Sequence, residues 1–351
     1  MKARLHVLLG AGGVGKTTLA AGYAIALGRI PGRRVGLLGI DPSRRLKDAL
    51  RVTLADMDVA VPTCGSLRAA VLEPAESLRR WAAEACPDPE TRDHLLANPF
   101  FTALADRLAT ATDIFAAARV GEWAERDASL TDLVVDTAPG LNAIEFLTRP
   151  ERVAAFLGGR LVGWLRLLAR QGGTVSQVGL LGGGARRIFG SLVRIGGARM
   201  LADLAEFFAL VETVFTRMLA RVEVTQRWLR EDGTQIIVVT AVRHDGAATA
   251  KELSQALEGA RLVARAVVVN RALPRMADQT GTLEAVAARD PDAARVIRYA
   301  LAYAAMQAKV VEDVRGLAAT TATLPDVRGL DADARLESLA HVGELLRATL
   351  E

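Results

Sequence analysis

Cysteine is almost missing from this chain of 351 residues, which carries only Cys64 and Cys86. They lack metal-ligand spacing, so no zinc is expected, an iron–sulfur cluster lacks ligands, and the three thiols that a soft metalloid would need are not there. A reduced, cytoplasmic setting is the expectation. Lysine is scarce too: apart from Lys2, Lys16, Lys47, Lys251 and Lys309 the basic residues are arginines, which alternate with glutamate along most of the predicted helices. A net charge of +4 spread in this way describes solvated faces, and no nucleic-acid partner is expected. Aromatics make up 5% of the residues while 51% are hydrophobic, the balance of a globular chain with a large aliphatic core. Long apolar runs are absent as well. The longest charge-free stretch, QGGTVSQVGLLGGGA, falls short of the about 20 apolar residues of a membrane-crossing helix, so no transmembrane segment is expected. Met1 to Arg4 lead straight into LHVLLG, so no signal peptide is expected.

What is present is alternation. LHVLLG, RVGLLGID, LRAAVLE, DLVVDTA, QIIVVTA, ARAVVVN and TTATLP read as strands separated by amphipathic helices. That order predicts an α/β fold with a doubly wound, mostly parallel sheet. Between about Glu151 and Arg230 the strands stop. There Leu201, Leu204, Phe208, Val211, Phe215, Met218 and Val222 follow a three-four rhythm, which requires one buried helix face. The expected organisation is a nucleotide domain from 1–150 and 231–351 with a helical insertion subdomain over 151–230. The closing DARLESLAHVGELLRATLE reads as a mixed-charge helix suited to packing on the sheet.

Residues 10–18, GAGGVGKTT, fit the phosphate-binding pattern G-x-x-x-x-G-K-[ST], with a strand before and a helix after. Gly10, Gly12, Gly13, Val14 and Gly15 let successive backbone N–H groups face a β-phosphate at a helix N-terminus. Lys16 would lie against the β- and γ-phosphates, and the Thr17 hydroxyl would coordinate Mg²⁺. The competing reading is an ordinary strand-to-helix turn. Asp136, closing an apolar run, is placed to hold Mg²⁺ through water, or else to cap a helix. Asp41 follows the second strand in the same way, and parallel strand ends share one edge. One of these two acids would orient a water while the other serves the metal; alternatively Asp41-Pro42 starts a turn. Asn270 closes another strand, where it could equally cap a turn.

Taken together, GAGGVGKTT, IDPSRRLKDAL, AVLEPAESL, VVDTAPG, VVVN and LPDVRGL resemble the arsenite-pump and tail-anchored-protein targeting ATPases, a family of P-loop NTPases that includes bacterial anion-transporting ATPases. The resemblance implies an ATP hydrolase using ATP and Mg²⁺, with Lys16, Thr17 and Thr18 on phosphate and metal. It makes Asp41 the switch aspartate that polarises the attacking water, Asp136 the second-switch aspartate, and Asn270, with Pro325, part of the adenine site. It also implies a homodimer, or a pair with a paralogous subunit, closing across the nucleotide. Where the family has a signature lysine this chain has Ala11. Arg44 or Arg45 is a candidate replacement cation, with solvated arginines as the alternative. The second switch continues as GLNAIEFLTRP in place of threonine-glycine-histidine.

Two uses of the ATP are compatible with these features. Nucleotide-driven closure could assemble the helical segment into a groove for a hydrophobic client, such as a helix of a membrane protein. The alternative is a positioning ATPase riding on membrane or DNA, which usually carries a terminal membrane helix or a basic patch. Metalloid efflux is disfavoured by the missing thiols.

Overall fold

A computed structural model describes residues 3–41, 45–62, 64–108, 112–140, 207, 213–273, 280–325 and 335–350. Among these, eight strands form one sheet: β1 (Arg4–Gly10), β2 (Val35–Gly39), β3 (Val59–Val61), β4 (Cys64–Val71), β5 (Asp132–Asp136), β6 (Gln235–Ala241), β7 (Ala264–Ala272) and β8 (Thr320–Pro325). The spatial order is β3-β4-β2-β5-β1-β6-β7-β8, parallel throughout except for the β3–β4 pair. All seven runs read from the sequence are strands. The eighth, β3, was missed because three residues are too few to show a period.

The central strands are buried along nearly their whole length, as β1 and β5 show. Apolar side chains on both faces are what a parallel sheet covered by helices on both sides requires. From β1 the chain leaves through α1 (Lys16–Gly28) to β2 on one side, while β6, β7 and β8 extend the sheet on the other. The carboxyl ends of β1, β2 and β5 therefore share one edge of the sheet, where such folds bind ligands. The opposite end of the sheet is tied by a buried polar cluster. His6 Nε2 lies 3.0 Å from Asp132 Oδ1, Arg33 donates to the same oxygen at 3.2 Å, and Tyr23 donates to Gln235. Burial pushes the Asp132 carboxyl up, but hydrogen bonds from His6 and Thr131 outweigh this and hold it below the usual range.

Helix α1 is apolar nearly all round, and every residue from Leu19 to Leu27 is buried. Such a helix has to be covered on all sides. The sheet supplies one cover, and the helix Arg335–Leu350 supplies another, packing chiefly on α1 instead of on the sheet as expected. The two helices approach backbone to backbone at Gly22 and Gly343. A Cβ added at Gly343 would collide with the Gly22 carbonyl and lie 2.7 Å from the Tyr23 nitrogen.

By its contacts the chain divides into two units. The first holds the sheet. The second includes the described residues of Glu73–Glu122 and residues 213–225, which are helical. Its core centres on Glu122, which accepts from Arg80, from Arg119 at 3.0 Å and from the Trp81 indole at 3.0 Å. Trp81 stacks on Phe115. Phe215, Met218 and Val222 are buried, as the three-four rhythm requires; Leu201, Leu204, Phe208 and Val211, with most of 151–230, lie outside the described residues.

Gly343→Ala is expected to lower stability by about 1–3 kcal/mol through overpacking, read as a lower urea midpoint. Gly281→Ala, in a helix where the added methyl meets nothing, should be neutral or slightly stabilising in the same assay.

Candidate nucleotide site

The loop leaving β1 is built around close backbone approaches. A Cβ at Gly10 would collide with the Val239 carbonyl, because β1 and β6 are in register at that pair. Gly13 and Gly15 sit at φ 75° and 99°, left-handed values that a side chain resists. Gly15 is the N-cap of α1 and brings no side chain to its first N–H groups, leaving them available to an anion. Val14 is buried in the core, so it contributes through its backbone. Lys16 is 6% exposed, and its Nζ donates to the Gly10 carbonyl at 2.9 Å and the Ala11 carbonyl at 3.0 Å. Burial pushes this ammonium below its ordinary pKa, against the pull of Asp136 and Asp41.

Both sequence-predicted acids come to this edge. Asp136 pairs in register with Leu8 of β1 on one side and Gly39 of β2 on the other. Asp41 follows β2 by two residues and is close enough for its charge to act on Lys16 and Asp136. Asp136 is 2% exposed; Thr17 donates to its carboxyl, while Oδ1 accepts no hydrogen bond. Burial raises its pKa to about 6, with the Asp41 charge adding to the rise and Thr17 and Lys16 opposing it. The next residue, Thr137, anchors the strand end by donating to the Leu8 carbonyl at 2.7 Å. Arg45, exposed at the start of the helix Arg45–Leu50, adds a positive charge that acts on Lys16 and Asp136; Arg44 and Pro42 lie outside the described residues.

Asn270 is buried and does more than close a strand. Its Nδ2 donates to the Val14 carbonyl at 2.8 Å, bracing the loop from β7, while Oδ1 has no partner. A methyl group on Gly15 would collide with the same amide. Pro325, at the exposed end of β8, pairs with Ala272 two residues beyond Asn270. Thr18 is half-buried in the first turn of α1. Ala11 packs against the core. The contact of Asn270 with Val14 was invisible in the sequence, because the two are far apart along the chain. So was Arg243, in the loop after β6, whose Nη1 lies 3.4 Å from the Gly12 carbonyl. A basic residue just before the Asp-Gly start of a helix, at the end of a strand next to β1, is the signal that could have found it.

The donor set suits a hard cation. A buried carboxylate oxygen without a hydrogen bond, beside a threonine hydroxyl, offers the oxygen ligation that Mg²⁺ takes while keeping several waters. No cluster of three His, Cys, Asp or Glu residues able to hold a metal by themselves exists among the described residues. Nor is any helix among them long and apolar enough to cross a membrane.

A sequence profile for the family described as anion-transporting ATPase matches residues 3–299, and no curated protein matches the chain.

The raised pKa of Asp136 fixes a pH dependence. The folded protein holds this proton more tightly than the unfolded chain, so stability without nucleotide falls as pH rises from the ordinary aspartate range through about 6. Asp136→Asn should flatten that decline and raise the urea midpoint above it. In the native protein, affinity for Mg²⁺-nucleotide should rise through the same window as the carboxylate ionises. Urea titrations and Mg²⁺-dependent nucleotide binding on either side of the window check both.

Proposed function

The chain belongs to the anion-transporting ATPase family, and on that premise we propose that it hydrolyses Mg²⁺-ATP and uses the cycle to switch a helical binding surface. The observation that carries this reading is the buried, unpartnered Asp136 oxygen beside Thr17 and Lys16 at a glycine-rich strand-to-helix loop. The amides of Gly10, Gly12, Gly13, Val14 and Gly15, with the start of α1 at Lys16 to Thr18, cradle the β- and γ-phosphates. Lys16 stabilises the charge that develops on the leaving phosphate. Thr17 would hold Mg²⁺ directly and Asp136 through water, and the metal would supply charge that offsets that of the phosphate oxygens.

Asp41 orients the attacking water, and no covalent intermediate is needed. Asn270 uses Nδ2 on Val14 and keeps Oδ1 for the donor edge of adenine, with Pro325 flanking the base. The nucleotide domain lies within 1–150 and 231–351, of which Glu73–Glu122 falls in the second unit, and the segment 151–230 carries the client surface. The client is a hydrophobic helix of a membrane protein, handled in the cytoplasm by a homodimer or by a pair with a paralogous subunit.

Lys16→Ala should abolish ATP binding or turnover while leaving the circular dichroism spectrum and the melting curve native-like; normal hydrolysis by this variant would contradict the assignment. Trapping Asp41→Asn with ATP should retain nucleotide and copurify apolar membrane-protein segments. DNA or lipid vesicles in their place would turn the reading toward a positioning ATPase.

A further inference from the structure

Charge balance at this site is incomplete. The loop GAGGVGKTT contributes one cation, Lys16, and it faces two acids, Asp41 and Asp136. Fully ionised ATP carries more negative charge than one ammonium and one Mg²⁺ offset, even before those acids are counted. Arg45 adds one positive charge here, and a further cation at the phosphates would still be favourable.

Arg243 is held where it can. It sits in the short turn between β6 and the helix Gly246–Gly259, next to β1 in the sheet. Asp245 grips one edge of the guanidinium with both carboxylate oxygens, at 3.0 Å to Nε and 2.9 Å to Nη2. The remaining nitrogen, Nη1, points to the rim of the loop at the Gly12 carbonyl. Two features separate this pair from an ordinary surface ion pair. Asp245 occupies the N-cap of its helix, where an aspartate normally accepts from the first N–H groups, yet its side chain makes no capping bond. The pair is also about half exposed, at 46% and 59%, so it adds little stability. Forgoing a cap for an exposed ion pair gains orientation of the guanidinium. Arg243 also lines a cleft of about 660 Å³ with His244, Tyr299 and Tyr303, and its bond to the Gly12 carbonyl is long at 3.4 Å.

We propose that Arg243 is a phosphate-binding residue of this site, reaching the nucleotide's polyphosphate from the outer rim of the loop with the donor edge that Asp245 leaves free. This rests on the nucleotide reading above. Arginine suits the task because its planar fork can bind a carboxylate on one edge and a phosphate oxygen on the other.

The test titrates a fluorescent ATP analogue and its ADP counterpart into the full chain and measures ATP turnover. The proteins compared are Arg243→Ala, Arg243→Gln, Arg243→Lys, Lys16→Ala and the wild type. Arg243→Ala should weaken ATP binding or slow turnover about ten- to a hundredfold, the loss of one charge-assisted hydrogen bond, with an unchanged melting temperature in the absence of nucleotide. Arg243→Lys, which keeps charge without the fork, should recover part of the loss. Arg243→Gln reads the same deficit in a variant that keeps a polar side chain without the charge. Wild-type affinity and turnover in the Ala and Gln variants, with Lys16→Ala losing both, would overturn this proposal alone. Normal binding by Lys16→Ala would overturn the nucleotide reading itself.

Discussion

Lys16 holds a positive charge almost out of reach of water, and the geometry around it follows from keeping that charge solvated by protein. An ammonium in such a place needs carbonyl and carboxylate oxygens around it. Gly10 and Ala11 provide two carbonyls, which forces the loop to curl over its own lysine, and that curl demands left-handed backbone at Gly13 and Gly15. Asp41 and Asp136 provide the opposing charge, which is available only because β2 and β5 end at the same edge as β1. Parallel strand order, loop conformation and side-chain charge are therefore one constraint. Burial raises the Asp136 carboxyl to about 6 against the pull of Lys16, and one of its oxygens is left without a hydrogen bond.

The glycine-rich loop and the end of β7 are joined by a hydrogen bond. Asn270 reaches from β7 to the Val14 carbonyl, and β7 is itself steadied by the long helix Pro291–Val314. From that helix Tyr303 donates to the Arg271 carbonyl at 2.8 Å, while Gln307 accepts from Leu273 N at 2.8 Å and donates to its carbonyl at 3.1 Å. Arg271 takes φ 61° at this junction, an unusual value for a side chain with a Cβ and one that these bonds on either side sustain. The loop is thus braced from two strands away.

Much of this was legible in the sequence because it is written locally. The seven longer strands declare themselves as apolar runs, and the phosphate loop is a contiguous motif whose glycines have an evident purpose. Asp41 and Asp136 could be placed because a parallel sheet gathers strand ends at one edge. Phe215, Met218 and Val222 could be assigned to a buried face because helical periodicity is a short-range signal. The contacts that escaped are the ones joining distant segments: Asn270 to Val14, Arg243 to Gly12, and the last described helix to α1. No spacing rule connects residues so far apart, and β3 is too short to carry a pattern. Asp245 shows a different difficulty, since an aspartate before Gly246 reads as a helix cap and its side chain is engaged elsewhere.

The glycine crossing of Gly22 and Gly343 has a consequence for biosynthesis. Helix α1 is translated early, yet the helix that covers one of its flanks lies near the far end of the sequence, so a nascent chain emerges with a bare aliphatic surface beside its phosphate loop. Until that distant segment has been made, the flank lacks the cover it has in the folded protein.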